Sequence, residues 1–403
     1  MIATVPGLDP ASFRTRFPML ERTVHLASCS LGARSTDLDA ALTRMLEAMA
    51  EHGAPWRQFE EQVAEARRRF ATLIGARPDQ IAVVPNASVG AYQVASTLPW
   101  ARRPKLVTTV AEFPSVAHIW LAQRPRGAEV VYVGERDGTV PAADYVAAVD
   151  ERTGLVSIPL TTYRNGARLP VAGVVAAAHA AGARVFVDAY QAVGVEPVDV
   201  LELGCDYLVA GAMKYLLGLP GVAFLYARSG SAGDLAPQLT GWFGRVDPFA
   251  FDPQKLDFPD QARRFETGTP AVPALYAANA GLALIGGLDL HAVRRHVAAL
   301  VAYAADRLTD QGERLCMPTD PAARGAHVAL ADPNPVALAD WLAARRIVVS
   351  PRGNVARLSF HYYNNADDVD IALEEITQYR RTGAGRLDFG SRQPDKSCQT
   401  NLD

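Results

Sequence analysis

Residues 208–227, LVAGAMKYLLGLPGVAFLYA, carry one charge, Lys214. Every other side chain there is apolar, glycine, proline or tyrosine. Burying an unpaired ammonium costs several kcal/mol. Either the lysine snorkels to the surface or it is not an ammonium in the working protein. A second candidate lies upstream, in VFVDAYQAVG. Asp188 closes a strongly apolar strand pattern, with Gln191 three residues on. A carboxylate at that place needs a cationic or hydrogen-bonding partner. It could equally cap the following helix. Between the two lies VEPVDVLELGCDYLVAGAM, which reads as a helix-like segment and one strand. Asp188 and Lys214 are therefore expected at the carboxyl ends of strands in one sheet, where open α/β sheets bind ligands. A buried lysine beside a buried acid is a structural salt bridge or a reactive pair. Buried ion pairs stabilise poorly, which favours the reactive reading.

The surrounding elements must put these residues in place. The runs QIAVVPN, KLVTTV, EVVYVG, GLVSIPL, ARVFVDA, DYLVAG and VAFLYAR are strand-like, and amphipathic or alanine-rich helical patterns separate several of them. This alternation predicts an α/β fold with a mostly parallel central sheet covered on both faces. In VVPNASVGAY a strand runs through a turn into a helix, with Ser88 as the expected N-cap. Residues 245–270 are polar and proline-rich and read as a long connection. The expected organisation is an N-terminal arm (1–20), a large domain (21–285, including the connection 245–285), a smaller C-terminal α+β domain (286–381) and a disordered tail (382–403).

Composition excludes several classes. The chain has 403 residues, 49% apolar and 21% charged, with net charge -3. That balance suits a globular protein and offers no basic face for nucleic acid. The first twenty residues lack the pattern of a signal peptide. The apolar run around Lys214 is broken by Gly211, Gly218, Pro220 and Gly221, so no membrane span is expected. Four cysteines without a C-x-x-C pair make neither a disulfide framework nor a zinc site. A cytoplasmic location is expected.

VDAYQAVG followed by AGAMKYLLGLPGVAFLYAR resembles the fold-type-I pyridoxal-phosphate enzymes, and within them the class V aminotransferase group. That group includes cysteine desulfurases, kynureninases and isopenicillin N epimerase-like proteins. The resemblance runs from about residue 22 to 380. It implies pyridoxal 5'-phosphate as cofactor and assigns roles. Lys214 would form the Schiff base and then act as base toward the substrate's α-proton. Asp188 would pair with the pyridine nitrogen, keeping the ring an electron sink. Gln191 would bond the phenolic oxygen. Ala87 and Ser88 would hold the phosphate at a helix N-terminus. Phe113, in AEFPSVAHIW, would stack on the ring. Trp242, in LTGWFGRVDPF, and Thr269, in RRFETGTPAVPAL, would reach the cofactor phosphate of a second subunit. A homodimer with active sites completed in trans follows. Arg357, in NVARLSFHYYNN, would bind the substrate α-carboxylate. Ser28, Cys29, Tyr163 and Tyr190 are expected to line the substrate pocket. Gly211 and Gly218 are expected to let the backbone approach the ring and phosphate.

The departures shape the expected activity. The segment VVSPRGNVAR lacks the catalytic cysteine that one desulfurase branch carries there. ERLCMPTDPAARG does not resemble the insertion that carries it in the other branch, and Cys316 reads as a structural strand residue. Met213 stands where kynureninases have tyrosine and desulfurases histidine, and Arg245 replaces the kynureninase histidine. The resemblance therefore points to an amino-acid enzyme with another outcome. β-Elimination from a cysteine conjugate, a C–S lyase reaction, is placed first. Transamination, epimerisation, decarboxylation or oxidative deamination, and kynureninase-like hydrolysis are the alternatives. A cofactor-binding regulator is disfavoured, because no segment is spare for a DNA-binding module. The alanine- and arginine-rich usage suggests a high-GC bacterium and specialised metabolism such as antibiotic biosynthesis.

Overall fold

A computed structural model describes residues 8–231 and 235–382. The first seven residues of the expected arm and residues 383–403 of the expected tail lie outside the described residues. The strands are β1 (Val24–His25), β2 (Ile81–Val84), β3 (Lys105–Thr109), β4 (Glu129–Val133), β5 (Thr153–Pro159), β6 (Arg184–Asp188), β7 (Tyr207–Gly211), β8 (Ala223–Ala227), β9 (His327–Ala331), β10 (Ile347–Val348), β11 (Ser350–Arg352) and β12 (Val355–Ser359).

Seven of them form the central sheet, in the order β2-β8-β7-β6-β5-β3-β4. Only β8 runs against its neighbours, β2 and β7; the other pairs are parallel. Side-chain alternation explains why these runs are apolar throughout. Val185 and Val187 enter one hydrophobic cluster while Phe186, between them, enters the cluster on the opposite face. β8 does the same, with Phe224 and Tyr226 on one side and Ala223, Leu225 and Ala227 on the other. A sheet covered on both faces needs apolar residues at every position. One face is covered by helices Ala87–Ser96 and Pro114–Leu121, the other by helices that include Trp56–Leu73 and Val272–Gly286.

The second sheet is antiparallel, in the order β11-β12-β9, and is accompanied by helices Leu290–Asp310, Pro335–Ala343 and Ala366–Arg381. The N-terminal segment packs on this part of the molecule. β1 pairs in parallel with β10, Ala27 bridges Ser359, and Phe13 and Phe17 pack against Tyr363. The segment then crosses to the central sheet, where the Gly32 N–H donates to Met213 O at 2.9 Å. A side chain at Gly32 would start 2.4 Å from Lys214 O, so only glycine permits the crossing. No single described helix is long and apolar enough to cross a membrane.

Candidate active site

Asp188 ends β6 and Lys214 lies three residues past β7, on neighbouring parallel strands. Both open into a cavity of about 240 Å³. The same cavity is lined by Cys29, Ala87, Ser88, Phe113, Tyr163, Tyr190, Gln191, Met213 and Arg357. Residues from both sheets thus meet at the carboxyl ends of the central strands.

Lys214 is 8% exposed and has no ion pair or hydrogen bond among the described residues. Its Nζ sits 4.3 Å from the centre of the Tyr190 ring and 5.4 Å from that of Phe113. Aromatic faces offset part of the cost of burying the charge. Burial pulls the ammonium down to about 8, against the opposing pull of the Asp188 charge. The amine is thereby a usable base near neutral pH.

Asp188 accepts the Tyr190 backbone N–H on Oδ1 at 2.9 Å, and no described group donates to Oδ2. Burial raises its carboxyl above the usual range. Gln191 donates from Nε2 to Cys29 O at 3.1 Å, while its Oε1 is buried with no partner. Phe113 meets Tyr163 edge to face, with ring centres 5.0 Å apart. Arg357 is 1% exposed and donates to Tyr163 O (2.6 Å), Ser350 Oγ (2.7 Å) and Ser350 O (3.3 Å). No carboxylate faces it among the described residues.

Helix Ala87–Ser96 points its N-terminus at the cavity. Asn86, not Ser88, is the N-cap, and its Oδ1 accepts the Val89 N–H at 3.0 Å. The sequence places the cap two residues late because serine is a good capping residue too. Ala87 and Ser88 instead supply first-turn N–H groups, which have no intrahelical acceptor and suit an anion.

Some expected positions lie elsewhere. Ser28 is fully buried outside the cavity and shares a 2.7 Å hydrogen bond with Tyr363 Oη. Cys29 and Ser30 line the cavity in its place. The glycines also differ from expectation. A side chain at Gly211 would collide with the Tyr190 ring at 1.9 Å, so Gly211 makes room for that tyrosine. Gly218 is packed against Ala212 and Ala278. Trp242 lies outside the cavity, in an aromatic group with Phe243, Phe249 and Phe251. Thr269 lines a smaller adjoining cavity, which shares Pro85, Gly221 and Val222 with the first. Arg245 pairs with Asp257.

Among the lining residues not foreseen, two carry charge-bearing groups. Glu112 is buried, accepting the Phe113 N–H at 2.9 Å and the Ser157 hydroxyl at 3.0 Å. Burial, with the Asp188 charge nearby, pushes its carboxyl up to about 8. Arg352 lies at the exposed edge of the cavity.

The sequence and the fold agree with known proteins. A model of the aminotransferase class-V family matches residues 48–372. An uncharacterized aminotransferase of Bacillus subtilis is 36% identical over 371 residues, covering 91% of this chain and 97% of that protein. A kynureninase of Pseudomonas fluorescens is 28% identical over 361 residues, covering 84% of each. Among solved structures, a cystine C–S lyase in complex with its product cysteine persulfide superimposes with a TM-score of 0.82 at 22% identity, covering 89% of this chain and 98% of that one. The chain belongs to the class-V aminotransferase family and is a pyridoxal-phosphate-dependent enzyme.

The residues present fit that cofactor. It brings an aldehyde, a ring nitrogen that holds a proton, a phenolic oxygen and a phosphate. The cavity offers an unpaired amine, a carboxylate oxygen without a donor, an amide nitrogen with one N–H to spare, and two free N–H groups at a helix end.

Proposed function

We propose that the chain catalyses β-elimination at the Cβ–S bond of a cysteine S-conjugate, as a homodimer in the cytoplasm. The observation that carries this is the pairing of one unpaired base with a hairpin that has no sulfur acceptor. Lys214 is the only lysine on the cavity wall. The β11–β12 hairpin presents Arg352 and Arg357, and no cysteine, to the cavity. The cavity's cysteine, Cys29, is buried on the wall and not carried on the hairpin, so on this reading the sulfur departs as a thiol and is not handed to the enzyme. The likeness to the C–S lyase fold supports the same reading.

When bound, pyridoxal phosphate supplies an electron sink conjugated to the substrate's α-carbon. The chain does the rest. Lys214 holds the cofactor and takes the α-proton, its basicity matched to neutral pH. Asp188 Oδ2 would accept from the protonated ring nitrogen, and the second Nε2 N–H of Gln191 would donate to the phenolic oxygen. The Ala87 and Ser88 N–H groups receive the phosphate. Phe113 stacks on the ring. Arg357 has spent three of its five N–H groups on the protein and keeps two for the α-carboxylate. Cys29, Tyr163 and Tyr190 wall the substrate. Overall, water is consumed, and the thiol, pyruvate and ammonium leave.

Trp242 and Thr269 fit the dimer. Beside Trp242, Phe249 is 50% exposed and Phe251 72%. Such a patch marks an interface, and a second copy seated there brings both residues toward the partner's phosphate site.

Transamination is the second reading, favoured by the B. subtilis relative's name. The two separate on incubation with S-alkyl cysteines. Pyruvate and thiol released without a keto acid support elimination; product only when a keto acid is added sinks it. Lys214→Ala is expected to abolish the yellow colour of the lysine-linked cofactor and to lower turnover at least about 10³-fold. An unchanged absorbance band refutes the lysine's role.

A further inference from the structure

The cavity holds one more cation than an ordinary amino acid needs. Ser350 pairs with Arg357, and Arg352 pairs with Val355, across the β11–β12 hairpin. That register puts Arg352 and Arg357 on the same face, as diagonal neighbours about 7–8 Å apart at Cβ. No carboxylate pairs with either among the described residues. Arg352 spends one N–H on Pro351 O at 2.7 Å and has four to spare. Arg357 keeps two, enough for a single carboxylate held bidentately. The α-carboxylate is thus satisfied by Arg357 alone, and Arg352 remains.

We infer that the substrate carries a second anionic group, on its side chain, which Arg352 receives at the mouth of the cavity. The inference rests on the amino-acid reading of the cavity proposed above and narrows its substrate to acidic side chains, such as a carboxylated S-substituent. The rest of the wall agrees. Burial pushes the Glu112 carboxyl up to about 8 and Asp188 is assigned to the cofactor's ring nitrogen, so neither acid of the wall is set against Arg352. Arg357 also makes the Arg352 guanidinium less comfortable as a cation, as does partial burial. An anion between them relieves that repulsion. Phe113, Tyr163 and Tyr190 offer no competing charge, so the electrostatic preference belongs to the hairpin.

The test compares two ligands of equal shape on the holoenzyme, S-carboxymethyl-L-cysteine and its neutral amide, S-carbamoylmethyl-L-cysteine. Binding is read from the perturbed cofactor absorbance, which needs no turnover. The wild type is expected to bind the acid roughly 10- to 100-fold more tightly. Arg352→Gln is expected to erase that preference, leaving amide affinity and cofactor content unchanged, and Arg352→Lys to restore part of it. Equal binding of acid and amide by the wild type overturns the inference. So does an Arg352→Gln variant that loses both ligands equally, which moves Arg352 into the α-carboxylate clamp, or one that loses cofactor, which makes it a phosphate ligand. If neither ligand perturbs the wild-type spectrum, the amino-acid reading falls together with the inference. Pyruvate release is scored separately: an acid preference without pyruvate sinks elimination and keeps the inference.

Discussion

Arg380 and Arg357 are both withdrawn from solvent, and their company differs. Arg380 keeps 14% of its side-chain surface and meets two buried carboxylates, Glu313 at 2.8 Å and Asp332 at 2.5 Å. Arg357 is more deeply buried and meets only neutral oxygens. Arg380's pattern recurs at two other places where distant parts of the chain are joined. Arg14 grips Asp368, and Arg67 grips Glu266, which also accepts the Val83 N–H. Lys214 follows Arg357, buried and without an ion pair. Charges neutralised within the chain hold the fold together. Among the described residues, the buried cations without an ion pair, Lys214 and Arg357, both line the cavity, where a ligand completes them. A bare count of buried cations would merge these two groups; the partners separate them.

Mutations can break this contrast. The largest stability loss is expected from Arg380→Met, which strands Glu313 and Asp332 in the interior. Such a loss costs about 3–5 kcal/mol, read as a lower melting temperature, with ligand affinity in the remaining folded protein unchanged. Arg357→Gln should do the opposite. Amino-acid affinity falls about 30-fold or more, cofactor content stays intact, and melting shifts less than in Arg380→Met. Equal melting losses in the two variants would collapse the distinction between structural and waiting charges.

The smallest effect belongs to Glu112. Its carboxyl is raised from the usual 4.5 to about 8 by burial and by Asp188. The folded protein therefore holds a proton that the unfolded chain releases. The stability tied to that proton is complete below pH 4.5 and is lost as pH rises through 8. Glu112→Gln cannot ionise, so its melting profile should be flatter from pH 5 to 8.5, and its advantage over the wild type should widen by a few degrees. Parallel profiles would show that Glu112 does not titrate in this window.

Much of the site was readable in the sequence, for a local reason. Asp188 and Lys214 end apolar strands, and strand ends in a parallel sheet fall on one edge wherever the chain runs between them. The same holds for the turn before Ala87. What sequence alone did not yield depends on pairing or parity. Arg352 reaches the cavity because the Gly353-Asn354 turn folds β11 back on β12 in one register; a hairpin reading of SPRGNVAR would have found it. Glu112 is hidden beside Phe113, because nothing local says that the strand end turns its carboxylate toward Asp188. Ser28 and Cys29 lie in an irregular stretch, where no alternation tells which one faces inward. Gly211 is explained only by Tyr190, a contact between neighbouring strands.

The segment from Val24 to Gly32 bonds to both parts of the molecule, pairing with β10 and Ser359 at one end and Met213 at the other, and this sets an order of events during synthesis. Its partners Ile347, Val348 and Ser359 leave the ribosome more than 300 residues later. The central strands emerge first and can pair among themselves. The cavity wall at Cys29 must wait, unpaired, until those partners arrive. Contacts spanning nearly the whole sequence form late and slowly. A ribosome-stalled chain ending before Val348 should therefore present an assembled central sheet with an unfinished pocket, and competence to retain cofactor should appear only with the final strands.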